Sequence, residues 1–309
     1  MGRLIKILQE KVELISGENR QLLRLGGTLI TLILVIICGL TGWFLERLAL
    51  NFSPLIQISG SIIIIIAMSS TIAAGSLRKS VLDVITALPS NNDDSQLQHA
   101  RRKLSYIVGR DVWMLNRKEI LRATAETASE NAVDGIFAPL FWMFIGATLW
   151  SFSTNCPGPL SLALVFKATS TIDSMIGYRH GRMMWLGTAG ARLDDLLTWL
   201  PARAVMLTLP LISKPIKQAP ALISAARNDG SKDISPNSGI SEAIFAYCSD
   251  TKMGGTNIYK GETVKKPILS KNSPDATIES IEKMLKLILK LEITWLTVIA
   301  IISLGVHII

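Results

Sequence analysis

Cysteine is scarce in this chain of 309 residues: Cys38, Cys156 and Cys248 stand far apart and form no CxxC pair. That excludes a disulfide framework and a cysteine-ligated zinc site. The chain also lacks a GxxxxGK[ST] run, so any use of a nucleotide is not of the P-loop kind. It has no internal repeat, the usual mark of a transporter built from two related halves. The formal net charge is +8, yet no stripe of Arg and Lys is interleaved with aromatics. The excess is therefore not a nucleic-acid signal.

Apolar residues are abundant. Hydrophobic side chains make up 49% of the sequence and mean hydropathy is +0.38. Several runs approach the roughly 20 residues that cross a hydrocarbon core of about 30 Å. These runs predict an all-α, polytopic integral membrane protein with about 4–6 membrane segments and cytoplasmic helices and loops. It reads as one membrane-embedded domain over 1–309. Spans are expected near 22–44, 56–75, 136–152, 160–176, 196–212 and 293–309. The first has a basic stretch before it, like a signal peptide, but its apolar region is too long and no small-residue cleavage site follows. It reads as a retained anchor, entered by a basic amphipathic helix with Leu4, Ile7, Leu8, Val12 and Ile15 near helical spacing.

The basic region Ser76–Ala125 carries Arg78, Lys79, Arg101, Arg102, Lys103, Arg110, Arg117, Lys118 and Arg122. By the positive-inside rule it is cytoplasmic, as is the N-terminus. Asn155–Pro159 is then an outside turn, and Tyr178–Asp195 returns to the cytoplasm. Leu196–Ile212 contains Pro201, Arg203 and Pro210, which suggest a re-entrant or interfacial pair of short helices.

Four groups of residues have the makings of chemistry. Glu126, Glu130 and Asp134 are spaced four apart, so on a helix they stack along one face. Like charges at that spacing repel, and with Asn131 they suit Mg²⁺, a hard cation held by one or two carboxylates and substrate phosphates. A solvated helix face is the competing reading. Lys167, Asp173 and Ser174 interrupt an apolar helix, where an ionisable residue is a functional candidate unless it forms a structural ion pair or snorkels. Tyr178–Asp195 offers Arg179, Arg182 and Arg192 for phosphate or carboxylate and Asp194–Asp195 for a metal. His180 stands alone and takes no role. Finally, Ser235–Glu242 and Gly254–Gly261 are glycine-rich stretches whose N–H groups suit an anion, although alone they read as ordinary turns.

Taken in order, ARRKLSYIVGRDV (Ala100–Val112), ETASENAVDGIFAPLF (Glu126–Phe141), TSTIDSMIGYR (Thr169–Arg179), ARLDDLLTWLPAR (Ala191–Arg203), SPNSGISEA (Ser235–Ala243) and GGTNIYKG (Gly254–Gly261) resemble the adenosylcobinamide-phosphate synthases. These are the membrane proteins of cobalamin biosynthesis called CbiB or CobD. The likeness spans roughly residues 2 to 267. It implies an ATP-dependent amide ligase that joins adenosylcobyric acid to aminopropanol or its phosphate, with Mg²⁺, in the cell (inner) membrane and with a cytoplasmic site. Other membrane-bound enzymes of the corrinoid pathway are the implied neighbours.

That chemistry assigns roles. Glu126, Glu130 and Asp134 would hold metal, with Asp194 and Asp195 second. Arg110, Arg179, Arg182 and Arg192 would meet phosphate. Lys167 with Asp173 would stand near the reacting carboxylate, Glu130 would be needed for catalysis, and Asn237, Ser238, Gly255 and Asn257 would supply neutral donors. Family members usually begin with a further hydrophobic segment, carrying Asp-Pro and His-Pro-Val, before a Gly-Arg-Leu like Gly2-Arg3-Leu4. A chain that starts at this point is expected to lack that span and its histidine. Two other classes compete: a non-catalytic membrane sensor of the same superfamily, and a transporter.

Overall fold

The computed structural model describes residues 1–51, 54–89, 96–178 and 181–306. Arg179 and His180 lie outside them, as does most of the polar loop at 88–95. The described residues are almost wholly helical, with one small hairpin, and they gather into two compact units. The first comprises Met1–Ile72, Ala138–Thr198 and Ile299–Ile309; the second comprises Ala73–Phe137 and Trp199–Val298.

In the first unit, α1 (Gly2–Ser16) is the expected amphipathic entry helix. It lays Ile5 against Leu23, Ile30 and Leu34 of α2 (Arg20–Asn51) and against Ile172 and Ile176 of α8 (Pro159–Ile176). Its last turn leaves Leu14 and Ile15 exposed. The helices approach closely where side chains are small. A Cβ on Gly42 of α2 would lie 2.5 Å from the backbone of Ser161 in α8. One on Gly27 would lie 1.8 Å from the Leu186 carbonyl oxygen of α9 (Met183–Leu186).

The start of α8 is closed by a side chain from another helix. Glu46 of α2 is buried, and its carboxylate accepts hydrogen bonds from the backbone N–H groups of Gly158, Leu160 and Ser161 at 3.1, 2.6 and 3.4 Å. These are the donors a helix start leaves without partners, and the negative charge also favours the positive end of the helix dipole.

The second unit contains α4 (Ala74–Thr86), α5 (Gln98–Leu104), α6 (Arg117–Ala132), α11 (Ala219–Gly230), α12 (Ser238–Ser249), the antiparallel strands β1 (Met253–Tyr259) and β2 (Glu262–Leu269), and most of α13 (Ile278–Val306). Asn116 starts α6 with a capping box, reciprocated by Glu119. After α6 the helix widens into a π segment, Val133–Phe137, which continues as α7 (Ala138–Phe152). Widening a helix displaces a backbone carbonyl from its usual partner. Here the Gly135 oxygen accepts from Ala73 N–H at 2.7 Å, at the break between α3 (Pro54–Thr71) and α4.

Among the described residues four helical stretches are long and apolar enough to cross a membrane: Arg20–Ala49, Ser59–Thr86, Arg117–Phe152 and Thr188–Ser213. This agrees with an all-α polytopic membrane protein. Residues 160–176 are helical but fall outside the four, because Lys167, Asp173 and the hydroxyls around them dilute the apolar run. The expected span at 293–309 belongs to α13, and its end lies outside the described residues.

The expected pair of short helices at 196–212 is instead part of one continuous helix, α10 (Thr188–Ser213). Pro201 has no N–H for the Leu197 carbonyl, a loss that normally kinks or breaks a helix. The indole N–H of Trp142 takes its place, donating to Leu197 O at 3.0 Å.

Replacing Glu46 by Ala leaves buried N–H groups at the α8 start without acceptors. It should cost about 1–3 kcal/mol, read as a lower midpoint in thermal unfolding of the detergent-solubilised protein. An unchanged midpoint would remove Glu46 from this role.

Candidate functional site

The densest polar region of the second unit is built on α6, α12, the β1–β2 hairpin and the loop before α6. Arg122, Glu126 and Glu130 follow one another along α6 at four-residue intervals. Glu126 is fully buried. Its Oε2 meets Arg110 Nη1 at 2.6 Å, and its Oε1 accepts from Arg122 Nη1 at 3.2 Å and from the Gly254 backbone N–H at 2.8 Å. Arg122 also donates to the carbonyls of Gly254 and Thr256, at 2.6 and 2.9 Å. Arg110 donates to Asn257 Oδ1 at 2.8 Å.

The hairpin explains why glycine is needed here. Gly254 has φ +83°, and a Cβ there would lie 1.8 Å from the Pro267 carbonyl oxygen. A bulge between Met253 and Gly255 then sets the register that pairs Gly255 with Lys266 and Asn257 with Val264. Because side chains alternate along a strand, Asn257 and Lys266 share a face. The loop carrying Arg110 is stitched to the same hairpin: Asp111 N–H donates to Ile258 O, and Asp111 Oδ2 accepts from Gly261 N–H, both at 2.8 Å.

A second buried pair completes the network. Lys266 Nζ stands 2.6 Å from Glu242 Oε1 of α12 and 3.6 Å from Asp233 Oδ2. Burial pushes the Glu242 carboxyl up to about 8; Lys266 opposes the shift, while Glu126 and Glu130 reinforce it. Burial works against the charge of Lys266, but Glu242, Glu130 and Asp233 outweigh it and raise its pKa above that of an ordinary lysine. Arg110 is raised likewise: burial opposes its charge, and Glu126, Tyr259 and Glu242 prevail. Four buried atoms in this network have no hydrogen-bond partner: Glu126 Oε2 and Asp233 Oδ2, which face Arg110 and Lys266 at 2.6 and 3.6 Å as ion pairs, and Glu242 Oε2 and Asn257 Nδ2.

Alongside lies a cavity of about 380 Å³, lined by Asn116, Lys118, Arg122, Lys252, Gly254 and Thr256 among others. Asp275 bridges Lys118 and Lys252, at 2.6 Å to each. The size suits a small-molecule ligand, and Arg122 links its wall to Glu126.

Compared with protein families, residues 1–288 match the one described as CobD/Cbib protein. The chain belongs to this family. The cobalamin biosynthesis protein CobD of Synechocystis is 40% identical over 262 residues, 85% of this chain and 72% of that protein. The protein of the same name from Clostridium acetobutylicum is 33% identical over 311 residues, 99% and 92% of the two chains. The cobalamin biosynthesis protein CbiB of Salmonella arizonae is 33% identical over 289 residues, 93% and 84%. No solved structure matches. Membership supports a part in cobalamin biosynthesis.

Of the residues that sequence singles out in this CobD/CbiB family member, Arg110, Glu126, Glu130, Asp134, Asn237, Ser238, Gly255 and Asn257 fall in the second unit. Glu126 is engaged by two arginines and a backbone N–H rather than standing open as a ligand. Asp134 lies in the π segment, so it is offset from the regular stacking expected of a continuous α-helix. Asn237 Oδ1 accepts from Arg203 Nη1 at 2.9 Å. The Ser238 N–H donates to Ser235 Oγ at 3.2 Å. GGTNIYKG is a strand with its hairpin turn, not a free glycine loop, and the anion its backbone meets is Glu126.

Lys167, Asp173, Arg182, Arg192, Asp194 and Asp195 belong to the first unit. There Arg182 pairs with Glu18, and a Cβ on Gly177 would lie 2.0 Å from Asp173 Oδ1. Arg179 is outside the described residues. Among the described residues no group of three or more His, Cys, Asp or Glu is arranged to hold a metal ion. A cation arriving on nucleotide phosphates needs only one or two protein carboxylates.

Sequence reasoning gave no role to Arg122, Asp233, Glu242 or Lys266. Glu242 closes the SPNSGISE stretch, and Arg122 stands four before Glu126, so both had a signal. Lys266 is separable from the exposed Lys265 only through strand register.

Replacing Glu126 by Gln leaves the largely enclosed Arg110 and the half-buried Arg122 without their counter-charge. Breaking a buried pair this way costs about 3–5 kcal/mol, so the variant should melt well below wild type in detergent. A wild-type melting profile would mean the arginines do not need Glu126.

Proposed function

We propose that the chain is a membrane-bound, ATP-dependent amide ligase. It would join the free propionate carboxylate of adenosylcobyric acid to the amine of aminopropanol or aminopropanol phosphate, giving adenosylcobinamide or its phosphate. The observation that carries this reading is a buried network of arginine, lysine and carboxylates, beside a ligand-sized cavity, in a chain of the CobD/CbiB family.

A carboxylate does not react with an amine until one of its oxygens becomes a leaving group. In the proposed reaction a carboxylate oxygen attacks the γ-phosphorus of ATP, the bridging P–O bond breaks, and ADP departs. The amine nitrogen then attacks the acyl phosphate carbon, the C–O bond breaks, and inorganic phosphate leaves. Such a site must neutralise phosphoryl charge and align the two reactants.

The residues fit those duties. The cavity edged by Lys118, Arg122 and Lys252 takes the nucleotide, its cations facing phosphate. Arg110 and Arg122 are held in place by Glu126, so their charge is set before substrate arrives. Mg²⁺ enters as part of the nucleotide substrate and screens the transferring phosphoryl group. Glu130, half-buried one turn beyond Glu126, is the carboxylate left to reach it, with Asp134 in the next turn. A cytoplasmic face for the site is part of this proposal, because ATP is there.

Purified protein given adenosylcobyric acid, Mg²⁺-ATP and aminopropanol phosphate should form a corrinoid heavier by one amide-linked amino alcohol, read by mass spectrometry. Absence of that product would remove the ligase reading. Within the same assay, Lys118→Ala and Lys252→Ala should each raise the KM for ATP by roughly tenfold, the loss of about 1.4 kcal/mol of charge-assisted binding, with little change in the KM for the amine. An ATP KM that does not move would take the nucleotide out of this cavity.

A further inference from the structure

The network contains one carboxylate whose state neither the fold nor the nucleotide explains. Glu242 is fully buried on α12, one of the most enclosed helices of the second unit. Its Oε1 is taken by Lys266 at 2.6 Å, whereas its Oε2 has no partner at all. A buried acceptor left unpaired is costly, so a purely structural ion pair would be expected to satisfy both oxygens. The Asn257 amide presents the opposite vacancy: Oδ1 is used by Arg110, and Nδ2 has no acceptor. The other two unpartnered atoms of the network, Glu126 Oε2 and Asp233 Oδ2, each face a cation, so this acceptor and this donor stand apart; Glu130, Arg122 and Lys266 around them are half-buried.

Those two vacancies match the second half of amide formation. An attacking amine brings N–H groups that need an acceptor, and the carbonyl oxygen it attacks gains negative charge that needs a donor. We propose that Glu242 Oε2 receives the proton of the attacking amine while Asn257 Nδ2 donates to the oxygen of the carbonyl under attack. This rests on the ligase reading above and deepens it.

In that step the amine nitrogen bonds to the acyl carbon, the C–O bond to phosphate breaks, and phosphate leaves with the bonding electrons. The nitrogen's proton passes to Glu242, and from there to solvent. Lys266 contributes by position: it occupies Oε1 and so aims the free lone pairs of Oε2. Its ammonium also disfavours a second cation nearby, which keeps the incoming amine neutral and nucleophilic.

The charged groups facing Glu242 are Lys266 from β2, Glu126 and Glu130 from α6, and Arg110 from the loop before α6; Asp233 reaches it through Lys266. Burial, reinforced by Glu126 and Glu130, raises its pKa to about 8, so its basic form gains population as pH rises towards and through that value.

Hydroxylamine provides the test, because it attacks acyl phosphates as the free base at neutral pH and needs no enzymic base. Wild type and Glu242→Gln are each given adenosylcobyric acid and Mg²⁺-ATP with either aminopropanol phosphate or hydroxylamine, and amide and hydroxamate are quantified by mass spectrometry. The variant should lose amide formation by about a hundredfold or more while its hydroxamate yield stays within about tenfold of wild type. In wild type, amide formation should rise with pH more steeply than hydroxamate formation; in the variant that difference should vanish.

Equal amide formation in both proteins overturns the proposal. So does an equal loss of amide and hydroxamate in a variant that elutes and melts as folded protein. If Glu242→Gln does not fold, Glu242→Asp keeps a carboxylate charge near Lys266 but draws both oxygens back by one methylene from the position proposed for the amine. The same contrast supports the proposal there, and the two results just named overturn it. A wild-type protein that makes neither product sinks the ligase reading and this assignment together, whereas a wild type that makes both isolates the question to Glu242.

Discussion

The carboxylate of Glu126 is the interaction on which the second unit depends. It is fully buried, and a lone charge there would be prohibitively costly. Arg110, Arg122 and the Gly254 N–H make it affordable only in combination, and each comes from a different stretch of chain. The loop before α6, the helix itself and the bulged start of β1 are thereby fixed to one point. The hairpin register follows, and with it the placing of Asn257 and Lys266 on one face. Lys266 in turn meets Glu242 of α12. A chain of charge compensation therefore links two stretches far apart in sequence, one from Arg110 to Glu126 and one from Glu242 to Lys266.

Such a network is a weak route to stability alone, since apolar residues of similar volume often do as well or better than buried ion pairs. Its retention suits a site in which charges must be pre-positioned rather than drawn in by substrate. The unpartnered oxygen of Glu242 and the unpartnered amide of Asn257 point the same way. They are the buried atoms of the network left with neither a hydrogen bond nor an ion pair, and the wall of the neighbouring cavity shares Arg122 with that network.

Much of this was legible in the sequence, and the parts that were not have identifiable causes. Long apolar runs declared membrane helices because length and composition are local properties. Four-residue spacing placed Glu126 and Glu130 on one helix face, but spacing does not reveal what meets a charge. The arginines opposite came from a loop and from the same helix, where a positive-inside reading explained them equally well. Lys266 was hidden because a one-residue shift of strand register exchanges it with Lys265, and register here turns on a bulge at Gly254. Pro201 misled for a similar reason. Its cost was real, but the compensating donor, the Trp142 indole, lies 55 positions before the Leu197 carbonyl it serves.

The most direct measurement of the central claim follows an oxygen atom. Adenosylcobyric acid labelled with ¹⁸O in its free carboxylate is turned over with Mg²⁺-ATP and aminopropanol phosphate, and the released nucleotide and phosphate are analysed by mass spectrometry. Activation through an acyl phosphate must place one labelled oxygen in inorganic phosphate for every amide formed. Label in AMP, or amide formation with unlabelled phosphate, would contradict the account.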